Sequence, residues 1–393
     1  MFETTLTDVI AVDTHNNTIH FYSAPSAGRR DNHIVVSYNC QAFTDEFYEK
    51  FDRILKAYQQ RYPTTNANKV SLLLPDHLFL TDTIDIPAIG KRAMENSLEL
   101  AISALYKNKA DLKYSTYPMV QNKQYATYGM VGVRKDLITR VTDVCANNQI
   151  NVQNITFAAN AMVNGALTLN TKLKTGTFLL MNVQESKTRF AFVNKGRTVG
   201  AYDLPFGHAM LYKSRLAAED LLFDHSSAEL LVLNAKEKAK AKQLTMLGEE
   251  VLVDPDDERP EQEQPEQPDD PELDPTEGRK GGRKLPKFML RPIPTEREGF
   301  IFENFRILER WALELIASNP AITAMGSIDT VYVNMPRSYD FLFDMVNAEE
   351  AENGVKFQSL MQGAANDGSA AGAKDLELFG GLYVKLFNKI NNF

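Results

Sequence analysis

The chain is poor in the residues that hold small secreted or metal-bound folds together. It has two cysteines, Cys40 and Cys145, and six histidines in 393 residues. Two thiols cannot build a disulfide framework or a four-thiolate zinc site, and the histidines are scattered without metal-ligand spacing. A reducing, cytosolic compartment is expected, with no metal. Long apolar runs are also missing: nowhere do about 18 apolar residues follow one another, and the opening MFETTLTDVIAVDTHNNTIHFY carries acids where a signal peptide needs a basic region. Membrane contact is expected only through a partner. A concentrated basic face, the mark of a nucleic-acid binder, is absent from a sequence of net charge −8. Nor is there a G-x-S-x-G elbow around Ser186 or Ser226, or a sequence-level partner for His208, whose expected role is helix-start capping or partial burial.

The charge is unevenly placed. Between Asp254 and Glu277 twelve carboxylates face the single Arg259, a net of −11 that leaves the remainder of the chain near +3. The same stretch holds six prolines and almost no apolar residue, so it cannot bury enough surface to offset the entropy of ordering. We read 254–287, including the basic run around Arg279, Lys280, Arg283, Lys284 and Lys287, as a disordered loop. At 393 residues and 44% apolar, the chain as a whole suffices for two or three folding units.

Before that loop the pattern is βββαβ. The β-branched and aromatic stretches TDVIAVDT, TIHFYSA and HIVVSYN predict a three-stranded meander. Thr44 then serves as an N-cap for a helix with Phe47, Phe51, Ile54, Leu55 and Tyr58 on one face, ending near Pro63. The continuous run VSLLLP predicts a strand buried on both faces and paired in parallel. Residues 76–157 read as an inserted α+β module closed by the strand VQNITF. Its first helix presents Met94, Leu98, Ala101, Ile102 and Leu105, and its second Leu137, Ile138, Val141, Val144 and Cys145. The meander recurs as TFLLMNV, TRFAFVN and RTVGAYDL, with a tight turn at Asn194 to Gly196, and points to an internal duplication. A helix with Phe305, Leu308, Ala312, Leu315 and Ile316 inward, beside a core or core-margin Trp311, and the strand DTVYVNM follow.

This order resembles the actin-like ATPase superfamily and, more closely, the PilM family of type IV pilus assembly proteins, relatives of FtsA. The carriers are VIAVDTHNNTIHF, LLLPDHLFLTDTIDIP, YGMVGVRKDLITRVTDVCANNQINVQNITFAANAMVNG, FLLMNVQESKTRFAFVNKGRTVGAYDLPFG and ENFRILERWALELIASNP. The resemblance implies a duplicated RNase H-like α/β fold. Its first lobe would be 1–75 plus 158–170, the inserted subdomain 76–157, and the second lobe 171–393. It also implies a closing core helix after Gly380 and Gly381.

In that superfamily two glycine-containing hairpins clasp the phosphates, an acid organises Mg²⁺, and a paired-glycine loop supports the adenosine. Here Asp13 and Thr14 stand at the first hairpin, but His15 replaces the glycine whose missing Cβ permits close phosphate approach. At the second hairpin Asn182, Val183 and Gln184 replace Asp-hydrophobic-Gly, and Glu185 adds a negative charge beside the triphosphate position. Asn334, Met335 and Pro336 replace the adenosine glycines. At about 1–3 kcal/mol for each lost feature, affinity falls by several decades. The expectation is a pseudo-ATPase without ATP or Mg²⁺. Asp13 alone also reads as a strand-end acid capping its own turn.

Family members clasp the cytoplasmic tail of a bitopic partner, PilN. A cytoplasmic scaffold lying under the membrane and holding a PilN-like tail is therefore the expected function, with residues 20–40 and the module as its surface. Other platform components or a secretion ATPase would be further partners, and homo-oligomers remain open. Two alternatives also stay open. One is an active or binding-only actin-fold ATPase or kinase with unorthodox loops. The other is an FtsA-like filament former, for which Leu382, Leu386, Ile390 and Phe393 recur at amphipathic spacing.

Overall fold

The computed structural model describes residues 2–24, 33–62, 69–89, 91–106, 109–121, 123–213, 296–318, 327–349, 354–361 and 375–385. The chain divides into one unit formed by Met1–Ser227 and Phe300–Phe393 and a second, Ala228–Gly299. Of the second, only the start of a helix at 296–299 is described. The acidic segment 254–287 and the residues Leu386, Ile390 and Phe393 lie outside the described residues.

In the first half, β2 (Asp8–Asp13), β3 (Thr18–Ser23) and β4 (His33–Ser37) form the expected antiparallel meander, with Ile10 opposite Phe21 and Phe21 opposite Ile34. Helix α1 (Asp45–Arg61) starts where the Thr44 hydroxyl accepts the Phe47 amide, and Asp45 and Glu46 complement the positive end of its dipole. Its stripe of Phe47, Phe51 and Leu55 is fully buried. Strand β5 (Val70–Leu74), buried at every position, runs parallel to β2, and β9 (Val152–Phe157) runs parallel to β5. The sheet order is β4-β3-β2-β5-β9.

The second half repeats this plan. Strands β10 (Thr177–Val183), β11 (Thr188–Asn194) and β12 (Arg197–Leu204) form the meander. Lys195 and Gly196, both at positive φ, make the tight turn between the last two. After α5 (Glu296–Ser318), β13 (Thr330–Asn334) pairs in parallel with β10. Beyond α6 (Phe341–Glu349), β14 (Lys356–Ser359) pairs in parallel with β13. The order β12-β11-β10-β13-β14 matches the first sheet strand for strand. Three antiparallel strands followed by two parallel ones, twice over, are the duplicated RNase H-like, actin-like architecture. Trp311 on α5 is buried.

The inserted module is smaller than 76–157. Strands β6 (Phe79–Pro87), β7 (Leu112–Gln121) and β8 (Tyr125–Arg134) form an antiparallel sheet in the order β6-β8-β7. Helix α2 (Lys91–Leu105) packs Met94, Leu98 and Ile102 against Ile84, Ile86, Ala126 and Met130. Leu105, expected inward, is 57% exposed. Helix α3 (Lys135–Asn147) instead buries Ile138, Val141 and Cys145 in the main core with α1, and VQNITF is β9 of the first sheet. Composition identified that strand, but its partner is β5, some eighty residues earlier, and the parallel slot there covers its apolar side chains. Residues 20–40 also do not adjoin the module through the sheet: β4 lies at one edge, and the module is inserted between β5 and β9 at the other.

The second-lobe boundary 171–393 is likewise corrected. Helix α4 (Ala158–Leu169) is buried from Ala159 to Leu167, as an all-round apolar helix must be. Against it lies α7 (Leu376–Gly381), whose Leu378 joins Val9, Leu73 and Ala161 in a first-half cluster. The chain then forms β15 (Tyr383–Lys385), antiparallel to β1 (Phe2–Thr5). The C-terminal segment thus packs on the first half. The glycine pair lies inside α7 and is followed by β15; beyond Lys385 the closing helix expected there lies outside the described residues. At Gly380 the two helices touch: a Cβ there would stand 1.8 Å from the Ala161 carbonyl oxygen.

Candidate functional site

The five residues singled out from the sequence meet where the two halves face each other, with the exception of Thr14. At the first hairpin the Asp13 carboxylate accepts the His15 amide at 2.9 Å and the Asn16 side-chain amide at 2.8 Å, while Asn17 turns the chain at φ 52°. Asp13 therefore closes its own turn, the simpler of its two readings. Thr14 is half-buried in this turn and takes part in none of the ion pairs below. From the second half Lys187, 6% exposed, brings its Nζ to 3.3 Å from Asp13 Oδ1. Burial alone would raise the Asp13 pKa; Lys187, Asn16 and the His15 amide outweigh it and bring it down to about 2.

The second hairpin, between β10 and β11, is closed by the Gln184 amide donating to the Lys187 carbonyl at 2.9 Å. Its outer carbonyls are taken as well, because the amides of His208 and Ala209 donate to those of Gln184 and Glu185. Gly207 permits this approach: a Cβ there would lie 2.3 Å from the Glu185 carbonyl oxygen. His208 itself opens a short 3₁₀ turn, is half-buried and makes no side-chain cap; burial lowers its pKa.

Asn182 and Asn334 are register partners on the parallel strands β10 and β13, and the Asn334 side-chain amide Nδ2 donates to the Asn182 side-chain Oδ1 at 2.8 Å. Asn182 and Gln184 in turn both donate to one acceptor, Glu377 Oε1, at 3.4 Å and 2.9 Å. Glu377 lies in the first turn of α7. The carboxylate of the C-terminal segment thus occupies the space bounded by the second hairpin and the β13 loop.

Behind it sits Arg189, with 4% of its side chain exposed. It forks onto its cross-strand partner Asp203, with Nε and Nη2 at 2.6 Å and 2.7 Å from the two carboxylate oxygens. Its Nη1 is 2.6 Å from Glu377 Oε2, and its Nε is 2.9 Å from Asp76 Oδ2. These last two contacts are close in charge but not aligned as hydrogen bonds. Asp76, just after β5, accepts the Ala159 amide at the N-terminus of α4 with its other oxygen. Burial raises the Asp76 pKa to about 6, against the pull of Arg189. Burial also acts to raise Asp203, but the guanidinium holds it below the ordinary carboxylate value.

Two cations, Lys187 and Arg189, therefore face four carboxylates, Asp13, Asp76, Asp203 and Glu377, drawn from both halves and the C-terminal segment. Among the described residues no group of three or more His, Cys, Asp and Glu is arranged to hold a metal ion. Also among them, no helix is long and apolar enough to cross a membrane.

Sequence reasoning missed Asp76, Lys187, Arg189, Asp203 and Glu377. Lys187 and Arg189 carried a usable signal: basic residues beside an otherwise apolar strand, SKTRFAFVN, must find carboxylates if that strand is central. Glu377 carried none.

No protein-family model matches the chain, and no curated protein matches it in sequence. Solved structures do resemble it. A chain of the PilM–PilN type IV pilus biogenesis complex superposes with a TM-score of 0.50 at 9% identity, over 96% of this chain and 96% of that one. The cytoplasmic domain of EpsL from the Vibrio cholerae type II secretion system gives 0.34 at 12% identity, over 53% and 75%. AMPPNP-bound MreB5 of Spiroplasma citri gives 0.36 at 12%, over 95% and 94%. The first likeness extends over the whole chain and shows that this protein shares the PilM fold.

Proposed function

We propose that the protein is a scaffold of a type IV pilus or related secretion platform. It would lie at the cytoplasmic face of the membrane, hold the cytoplasmic tail of a bitopic, PilN-like partner, and neither bind nor hydrolyse ATP. The observation that carries this reading is the internal filling of the interlobe cleft. Where the fold family places phosphate and metal, the chain places Glu377, held by Asn182, Gln184 and Arg189. The residues present do not fit ATP and Mg²⁺. The hairpin amides of His15 and Gln184 are already engaged. Asn182 brings no charge to a metal, and four carboxylates against two cations repel a polyphosphate.

The likeness to a chain of the PilM–PilN complex, over 96% of both chains, supports the choice of a PilN-like partner. The test is co-purification of the tagged full chain with the membrane proteins encoded beside it. Capture of a bitopic protein that depends on its cytoplasmic tail supports the scaffold. Failure to retain any such protein with its tail present removes it.

A further inference from the structure

Apart from the cleft ions, one chain of titratable groups ties the C-terminal segment to the first sheet, and its protonation follows from its partners. His33 on β4 is the cross-strand partner of Tyr22 on β3, and His20 lies two positions along β3 from Tyr22, so both rings share one face of the sheet. His20 Nδ1 is 3.1 Å from His33 Nε2, and His33 Nδ1 is 3.6 Å from Asp375 Oδ2 at the start of α7. On its far side His20 Nε2 is 2.9 Å from the Thr18 hydroxyl oxygen. The two ring centres are 5.3 Å apart, close to the most that two ring radii and this nitrogen gap allow. The nitrogens therefore lie in line between the rings, as in a hydrogen bond, whereas rings chelating a metal would both turn toward a third point.

The partners fix the tautomers. A carboxylate does not face a bare ring nitrogen, so His33 Nδ1 carries a proton. In the neutral ring its Nε2 is then the acceptor, His20 Nδ1–H is the donor, and His20 Nε2 accepts the Thr18 hydroxyl. One added proton keeps every bond and reverses their direction. His33, now an imidazolium beside Asp375, donates from Nε2 to His20 Nδ1, and His20 Nε2–H donates to the Thr18 oxygen. A second proton has no such place, because it sets N–H against N–H and two positive rings side by side.

We propose that His20, His33 and Asp375 form a proton-operated tie that holds the first turn of α7, and with it Glu377 in the cleft, and that breaks when the histidine pair takes up its second proton. The proposal does not depend on the scaffold reading. Leu378 and the Gly380 contact keep the rest of α7 docked, so the tie governs its first turn alone. Among the described residues Asp13 and Lys187 face His20 from the two hairpins with opposite signs, and Tyr22 meets the His33 ring edge-on at 6.1 Å between centres. Burial, with His33 and Lys187, lowers the His20 pKa against the pull of Asp13 and Asp375. The folded protein thus takes this proton less readily than the unfolded chain does. The tie is intact above the ordinary 6.5 and is lost as pH falls below it.

The test uses the full chain with isotope-labelled histidine, its six rings told apart by single replacement. At about pH 8 both rings should be Nδ1–H tautomers, and on acidification they should titrate in two coupled steps more than about one pH unit apart. Hydrogen exchange, corrected for its intrinsic pH dependence, reads the tie itself at the Phe379 amide, which donates to the Asp375 carbonyl at 2.9 Å. Between about pH 7.5 and about pH 4.5 this amide should lose at least about 10-fold in protection while the amides of α1 keep theirs. His20→Gln and His33→Gln should each remove the pH dependence, with Phe379 exchanging throughout within about 2-fold of the parent rate at about pH 4.5.

An Nε2–H tautomer in either ring at pH 8, independent titrations, or Phe379 protection that stays level in the parent overturns the tie. A pH-dependent loss that persists in both variants overturns it too, and assigns the loss to another group of the cluster such as Asp76. Equal loss in α1 means general acid unfolding and overturns it as well.

Discussion

Arg189 is the residue on which the two halves and the C-terminal segment converge. A guanidinium this deeply buried is tolerable only because three carboxylates face it, so removing it exposes the cost of those carboxylates rather than the worth of one bond. Arg189→Leu should destabilise the protein by about 3–5 kcal/mol in urea unfolding. Arg189→Lys should lose less, because it keeps the charge but not the fork onto Asp203. A loss below about 1 kcal/mol for the leucine variant would mean that Asp76 and Glu377 relax into water.

Asp76 gives the same cluster a pH signature. Its folded-state pKa of about 6 lies above its ordinary 3.8, so the folded protein holds this proton more tightly than the unfolded chain does. Stability from this group is therefore greatest below pH 3.8 and falls as pH rises through 6, by at most about 3 kcal/mol for two units. Asp13 has the opposite sign: its contribution is present above pH 3.8 and is lost as pH falls toward 2, outside that window. Urea unfolding of Asp76→Asn and the parent between pH 4 and 7 should show the variant gaining relative stability as pH rises. Parallel curves would refute the raised pKa.

At the scale of elements, the helix pair α4 and α7 is the least forgiving contact. Gly380→Ala would set a Cβ against the Ala161 carbonyl, with the Gly165 amide nitrogen at 2.6 Å, and backbone cannot swing aside as a side-chain tip can. We expect a loss of at least about 3 kcal/mol, the upper end of overpacking costs, measured by thermal and urea unfolding. If the variant is as stable as the parent, the helices do not cross at this distance. Gly132→Ala is the control, since its nearest neighbour would be at 3.6 Å.

The same elements show what could be read in advance. Both meanders, α1, β5 and the duplication were legible because local periodicity and caps such as Thr44 determine them. The module boundary and the fate of the C-terminal segment were not, because they depend on which distant strand β9 and β15 pair with, and side-chain alternation carries no record of a partner. In the site, the loss of nucleotide-binding residue types was visible at Asn182, Gln184 and Asn334. That Glu377 fills the space they leave was not, since it depends on where α7 docks.

For the whole molecule, ion pairs of the chain itself, Lys187 with Asp13 and Arg189 with Asp76, join the two halves. Ligands that close a two-lobed fold stabilise it by mass action. A nucleotide with a Kd of about 10 µM, supplied at about 1 mM, would add about 2.7 kcal/mol and raise the melting temperature by several degrees. We expect no shift with ATP and Mg²⁺ at millimolar concentration, and none with ADP. Glu377→Ala should lower the melting temperature, because it removes a carboxylate from Arg189 and the acceptor shared by Asn182 and Gln184. It should still leave ATP without effect, because Asp13, Asp76 and Asp203 outnumber Lys187 and Arg189 even then. A clear nucleotide-dependent rise in the parent would return the protein to the active ATPases. A rise confined to Glu377→Ala would mean that this single carboxylate, and not the altered hairpins, keeps the nucleotide out.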